Sequence, residues 1–223
     1  MPLVLPGQEV SLNEPGRTFE RHHHLCGYAA LVVEGTCEEA GDRGRFTAQA
    51  GDVLAHRPLD AHRDFIGAAG ALIINFELAE PLDGSFGRVS DVDEIVRAHE
   101  RDPHQAAAML RAQFRPCSAG DRDWPDMLAE DLVRPGPIRL DGWAANHGLS
   151  PNSLSRGFRL AYGITPKRYR FEQMSSRAAR IVRSTPTPLS MVAADAGFAD
   201  QAHMTRAMAA LFGLTPRRLR RLS

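Results

Sequence analysis

A chain of 223 residues with 43% hydrophobic and 24% charged side chains has the composition of a globular protein, and no run approaches eighteen apolar residues. Three cysteines without CxxC spacing (Cys26, Cys37, Cys117) argue against a disulfide framework or zinc ribbon, and an N-terminus without signal-peptide character leads us to expect a soluble, cytoplasmic chain. The net charge of zero conceals a division: residues 1–134 hold 13 Arg against 23 acids, a net −10, whereas residues 135–223 hold 14 basic side chains against four acidic, a net +10.

Such asymmetry predicts two domains facing different partners, the basic one with the electrostatics of a nucleic-acid binder. A solvated basic face is the bland alternative.

In chain order, residues 17–78 come first. "YAALVV", "GRFTAQ", "DVLAHR" and "ALIINFEL" are short apolar or alternating runs broken by Gly, Asp and Pro, which predicts a small β-barrel or sandwich. Histidines gather in the same stretch: His22, His23 and His24, then His56 and His62. On a strand His22 and His24 share a face, and with His62 they supply three imidazoles, enough for an open metal site. The competing and preferred reading is a polar barrel mouth that contacts a small organic effector, with Arg21, Tyr28, His62 and Arg63 as contacts and no cofactor.

Residues 91–114 predict a helix pair broken near Pro103. Its apolar residues Ile95, Val96, Met109, Leu110 and Phe114 either pair with a second chain, giving a homodimer, or cover the barrel. Residues 115–126 read as a linker that closes a first domain at 1–114. "MLAEDLV" then opens a second domain over 127–223.

The second domain contains one device twice. "LDGWAANHG" ends at Gly148, and Ser150-Pro151 caps and starts a new helix with Leu154, Phe158 and Ala161 facing inward. "LSMVAADAG" ends at Gly197, Asp200 caps, and Met204, Met208 and Leu211 form the inner stripe. Aligned on the glycines, Gly148 matches Gly197, Gly163 matches Gly213 and Thr165-Pro166 matches Thr215-Pro216, with one residue inserted in the second turn. Two short helices joined by a tight glycine turn form a helix-turn-helix pattern. Between the copies, Phe171, Met174, Ala178 and Ile181 mark one face of an amphipathic helix about 25 Å long. A strut of that length can hold two probes one DNA turn apart. Beside the inner stripes, Asn152, Ser153, Ser155, Arg156 and Arg159, and Gln201, Ala202, His203, Thr205 and Arg206, are left to face outward.

"SPNSLSRGFRLAYGITPKRYR" and "AADAGFADQAHMTRAMAALFGLTPRRLR" strongly resemble the AraC/XylS family of bacterial transcription regulators, over roughly residues 138–221. The resemblance implies base contacts at Asn152, Ser155 and Arg156 and at Gln201, Ala202, His203 and Arg206. Phosphate contacts are expected at Arg159, Lys167, Arg168, Arg170, Arg217 and Arg218. It also implies double-stranded DNA, a small-molecule effector and RNA polymerase as partners. In "RAMAALFG" neither the inner aromatic nor the basic residue that often follows it in the family is present, so a weaker grip by the second unit is expected.

The pieces "RHHHLCGYAALVVEG" and "AGDVLAHRPLDAHRDF" resemble the cupin-like sensor domain that many such regulators carry. The resulting fold class is α+β: a cupin-like β-barrel followed by an all-α tandem helix-turn-helix domain. In metal-binding cupins a glutamate follows the His-x-His pair; here about Gly27 or Tyr28 stands in its place, so one ligand is missing. The expected protein is a regulator and not an enzyme. The rival is a metal-dependent cupin enzyme fused to a DNA-binding tail.

Overall fold

The computed structural model describes residues 3–4, 10–118, 122–134 and 136–222. The chain divides into two compact units, Val4–Asp121 and Arg122–Ser223. No helix among the described residues is long and apolar enough to cross a membrane.

Among the described residues the first unit is a nine-stranded sheet: β1 (Leu3–Val4), β2 (Val10–Asn13), β3 (Thr18–His24), β4 (Tyr28–Gly41), β5 (Gly44–Gln49), β6 (Asp52–His56), β7 (Ala61–Glu77), β8 (Phe86–Arg88) and β9 (Arg115–Pro116). Two long strands, β4 and β7, run antiparallel down its middle, and both change register halfway. Gly35 pairs with Ala71 but Cys37 pairs with Ile66, so β7 bulges across residues 67–70. Before the bulge β7 pairs with β3, and after it with β2. Likewise the first half of β4 pairs with β6 and the second half with β5. The bend gives the sheet two halves. Gly35 and Gly70 meet at this corner with φ of 77° and 78°, a backbone region that side chains disfavour.

Among the described residues, two apolar clusters hold this unit together. One face gathers Tyr28, Ala30, Val32, Cys37, Phe46, Leu54, Ile66 and Ile73. The other gathers Ala29, Leu31, Val53, Ile74 and Phe76 with side chains from α1 (Val92–Arg101) and α2 (Pro103–Gln113). Asp91 caps α1 and Asp102 caps α2, which puts the helix break one residue before Pro103. Ile95 and Leu110 are fully buried and Phe114 nearly so against their own sheet, with Val96 and Met109 half-covered. Covering the sheet is therefore what these residues do within the chain.

The second unit is all helical: α3 (Trp124–Val133), α4 (Leu140–Asn146), α5 (Pro151–Tyr162), α6 (Pro166–Ser184), α7 (Leu189–Ala196), α8 (Gln201–Phe212) and α9 (Pro216–Leu219), ending in a 3₁₀ turn. The expected linker is shortened from both sides. Arg115 and Pro116 pair with β8, and α3 begins at Trp124, inside residues 115–126. Early initiation follows from a capping box, in which Asp123 and Asp126 exchange side-chain and backbone bonds with Pro125 in the first turn.

Helix α6 is more deeply enclosed than its apolar stripe predicts. It packs against α3, α5, α7, α8 and α9. Tyr169 is fully buried in its first turn, and farther along so are Ser175, Ser176, Ala178, Ala179 and Val182, whereas Phe171, Met174 and Ile181 are only half-covered. Past Tyr169, a helix touched on both flanks needs small side chains where neighbours approach.

Candidate nucleic-acid interface

Local chemistry shapes each helix-turn-helix in the same way. Ser150 Oγ accepts from the Ser153 amide at 3.1 Å and Asp200 from the His203 amide at 2.6 Å, each satisfying an orphan donor at a helix start. The preceding turns pass through Gly148 (φ 66°) and Gly197 (φ 86°), and both second helices end on a left-handed glycine, Gly163 and Gly213.

The inner faces are dry. Leu154 and Phe158 in α5, and Met204, Met208 and Leu211 in α8, are buried, while Ala161 is half-covered. Phe158 stacks on Tyr162 at 4.7 Å and meets Tyr169 edge-on at 5.4 Å. Tyr162 in turn donates to Asp126 of α3 at 2.8 Å, and Gly157 leaves room for Trp124. Thus α3 braces the first helix-turn-helix from behind.

The outer faces are polar. Asn152, Ser155, Arg156 and Arg159 are exposed and, with Ser153 and Thr165, line one shallow concavity of about 440 Å³. On α8, Gln201, Ala202 and Arg206 are exposed. His203 is half-buried with its ring edge-on to Phe198 at 5.2 Å, and Thr205 donates to the Gln201 carbonyl at 2.9 Å.

The basic residues after the two Thr-Pro turns divide. Lys167, Arg217 and Arg218 are exposed. Arg168 pairs with the buried Glu172 one turn later at 2.7 Å. Arg170 is half-buried and donates to the carbonyls of Leu132 and Gly136 within its own domain.

In the first unit the histidines converge between the two sheet halves. His22 faces His62 across β3 and β7, with ring centroids 4.6 Å apart, and His24 stacks on His62 at 5.0 Å. Tyr28 lies flat against His56 at 4.4 Å, with its hydroxyl 3.1 Å from His62 Nε2 and 3.3 Å from His24 Nε2. Of the four expected effector contacts, Tyr28 and His62 are thus together. Arg21 is buried and ion-paired with Asp42, and Arg63, one residue past His62, takes the opposite side of β7.

Two residues absent from the expected ligand set join this cluster. Glu39 Oε2 lies 3.3 Å from His56 Nε2, and both side chains are buried. Two triads of donor atoms result, His22–His24–His62 and Glu39–His56–His62, each within 4.8 Å. Burial, reinforced by neighbouring histidines, lowers both His24 and His56 to about 3 and holds His62 well below its ordinary range. Burial also raises the Glu39 carboxyl, with Asp64 and Asp60 adding to the effect, and lifts Asp64 to about 7. The imidazoles are therefore uncharged near neutral pH, the form that ligates metals.

Comparison with known proteins bears on the helical unit. Residues 143–222 match the family model described as a helix-turn-helix domain. Similar solved structures include an AraC-type transcriptional regulator from Chromobacterium violaceum, 27% identical over 38% of this chain and 76% of that one (TM-score 0.36). They also include the C-terminal domain of AraT, a response regulator from Geobacillus stearothermophilus, 22% identical over 44% of this chain and 81% of that one (TM-score 0.39). Unsaturated fatty acid bound ToxT from Vibrio cholerae is 10% identical over 93% and 91% of the two chains (TM-score 0.40). No curated protein matches. Twin capped helix-turn-helix units on one bridging helix coincide with the family match, so residues 143–222 form a helix-turn-helix domain that follows an antiparallel sheet domain in the chain.

Proposed function

We propose that this protein is an effector-responsive transcriptional regulator whose helices α5 and α8 enter successive major grooves of one duplex. The observation that carries the reading is the pairing of two capped helices, each with an exposed polar face, on one shared helix within residues 135–223, whose net charge is +10. Helix α6 has 19 residues, about 28 Å at 1.5 Å per residue, close to the roughly 34 Å between successive grooves on one side of DNA.

In this reading Arg156 and Arg206 fork onto guanine, and Asn152 and Gln201 onto adenine. Ser155, Ala202 and His203 complete the base-facing surface. Lys167, Arg159, Arg217 and Arg218 hold phosphates, and Arg168 and Arg170 shape the turn beside them. The effector is a small molecule bound by the sheet domain, and it acts by favouring one of two states for which it has different affinity.

Sequencing the fragments that purified protein selects from a random DNA pool tests the proposal. Two half-sites about one helical turn apart support it, and a single half-site or no motif refutes two-groove reading. With the selected operator in hand, Arg156→Ala is expected to cost about 1–3 kcal/mol of affinity. Arg206→Ala is expected to cost less, because its unit lacks the aromatic and basic neighbours of the first. A larger loss at Arg206 overturns that ranking.

Salt dependence separates phosphate contacts from base contacts. Removing Arg217 and Arg218 together should flatten the slope of log affinity against log salt by about 2, given roughly 0.9 per phosphate neutralised, while leaving the preferred sequence unchanged. An unaltered slope measured by anisotropy titration would exclude both residues from the backbone contact.

A further inference from the structure

We propose that Glu39, His56 and His62 form a binding site for one divalent first-row transition cation, held by two imidazoles and a carboxylate between β4, β6 and β7. This set differs from the three-histidine set expected from the sequence, and it supplies the carboxylate that set lacks.

Four observations carry the inference. First, the donor atoms of the triad already lie within 4.8 Å of one another. Bonds of about 2.0–2.2 Å bring ligand atoms to within about 4 Å, so only a small closure is needed. Second, all three residues are at most 5% exposed and sit on paired strands, which fixes their directions. Gly41 makes room for one of them, since a Cβ there would stand 2.8 Å from the His62 Cβ.

Third, the buried nitrogens His62 Nδ1 and His56 Nε2 make no hydrogen bond. The 3.3 Å approach of Glu39 to His56 Nε2 is off the line of one. Unsatisfied polar atoms in a packed interior call for a partner, and a cation shared among lone pairs provides it. Fourth, outer groups already orient the ligands. Tyr28 stacks on His56, and the Tyr28 hydroxyl and Asp64 Oδ2 lie 3.1 and 3.5 Å from His62 Nε2.

Two imidazoles and one carboxylate suit iron(II), manganese, cobalt or zinc, whereas calcium and magnesium favour all-oxygen shells. The His22–His24–His62 set competes for the same His62. It is the weaker candidate because His22 is half-exposed, with Nδ1 committed to the Glu20 carbonyl at 2.8 Å, and no carboxylate offsets the ionic charge.

The test uses the full chain stripped with chelator and titrated with cobalt(II) and zinc(II), followed by calorimetry, thermal unfolding and cobalt visible absorption. One ion per chain, a raised melting temperature and ligand-field bands are expected. E39Q and H56Q, checked for folding by circular dichroism, should each bind more than about tenfold more weakly, the smallest loss typical even of outer-shell changes. H22A should bind nearly as the parent does.

Absence of stoichiometric binding by the parent protein to manganese, iron(II), cobalt, nickel and zinc overturns the proposal without any variant. So does retention of parent affinity in E39Q and H56Q, or loss of binding in H22A alone, which would assign the ion to the three histidines. No DNA enters these measurements, so their outcome is independent of how the helical domain reads an operator.

Discussion

Phe158→Ala is expected to destabilise the helical domain by about 3–5 kcal/mol and to abolish DNA binding with it. The ring is fully buried, sandwiched by Tyr162 and Tyr169, and it is the central anchor of α5. Truncation removes the transfer energy of the ring and leaves a void between two helices that α3 and α6 already brace, so collapse to fill it is limited. For a domain of about 100 residues this corresponds to a melting temperature lower by more than about 12 °C. The position of α5 depends on the same contact, because Tyr162 reaches Asp126 from the next turn. Calorimetry should show the loss in one transition. A change of under about 1 kcal/mol would mean that α5 is not seated as described.

Gly35→Ala carries the second large effect, in the sheet domain. A Cβ on Gly35 would stand 1.9 Å from the Gly70 carbonyl oxygen and within 2.9 Å of the Ala71 Cα, all of it backbone that cannot rotate away. Its φ of 77° adds strain of about 1–3 kcal/mol for any residue with a side chain. Overpacking at the crossing of β4 and β7 adds about 1–3 kcal/mol more. The sheet domain should therefore melt earlier while selected DNA is still bound, as a scan of unfolding alongside an operator titration would reveal. Gly16 is the matched control: its φ is 70° but a Cβ there meets nothing within 4 Å, so Gly16→Ala should incur the strain alone.

The helical domain was largely legible in the sequence, and the reason is local. Ser150-Pro151, Asp200 and the glycines at 148, 163, 197 and 213 declare helix starts and stops through capping chemistry that acts within a few residues. The inner stripes at Leu154 and Phe158, and at Met204, Met208 and Leu211, follow the helical period between those marks. The burial of α6 was not legible, because serines and alanines advertise no core until neighbours on both sides are known.

The sheet domain hides more. Strict alternation from Tyr28 would turn Glu38 inward and Glu39 outward. Register shifts between Val32 and Glu34 and between Gly35 and Cys37 reverse the parity, so Cys37 and Glu39 face inward instead. Gly35 at the shift in β4, with Gly67 and Gly70 in the partner bulge, marks that reversal in the sequence. His56 was visible as a histidine near the others, but its meeting with Glu39 depends on β4 pairing with β6 along its first half and with β5 along its second.

Enclosure of α6 on both flanks has a mechanical consequence. Every residue inserted into an α-helix advances the later turns by 1.5 Å and rotates them by about 100°, so even one extra residue would swing one half of the domain out of phase with the other. With Ser175, Ser176 and Ala178 locked against neighbours, the helix has no slack with which to absorb such a change. The interval between the two halves is thereby written into a single rigid length of chain, and point substitutions on the outer faces can change the surface each half presents without altering that interval.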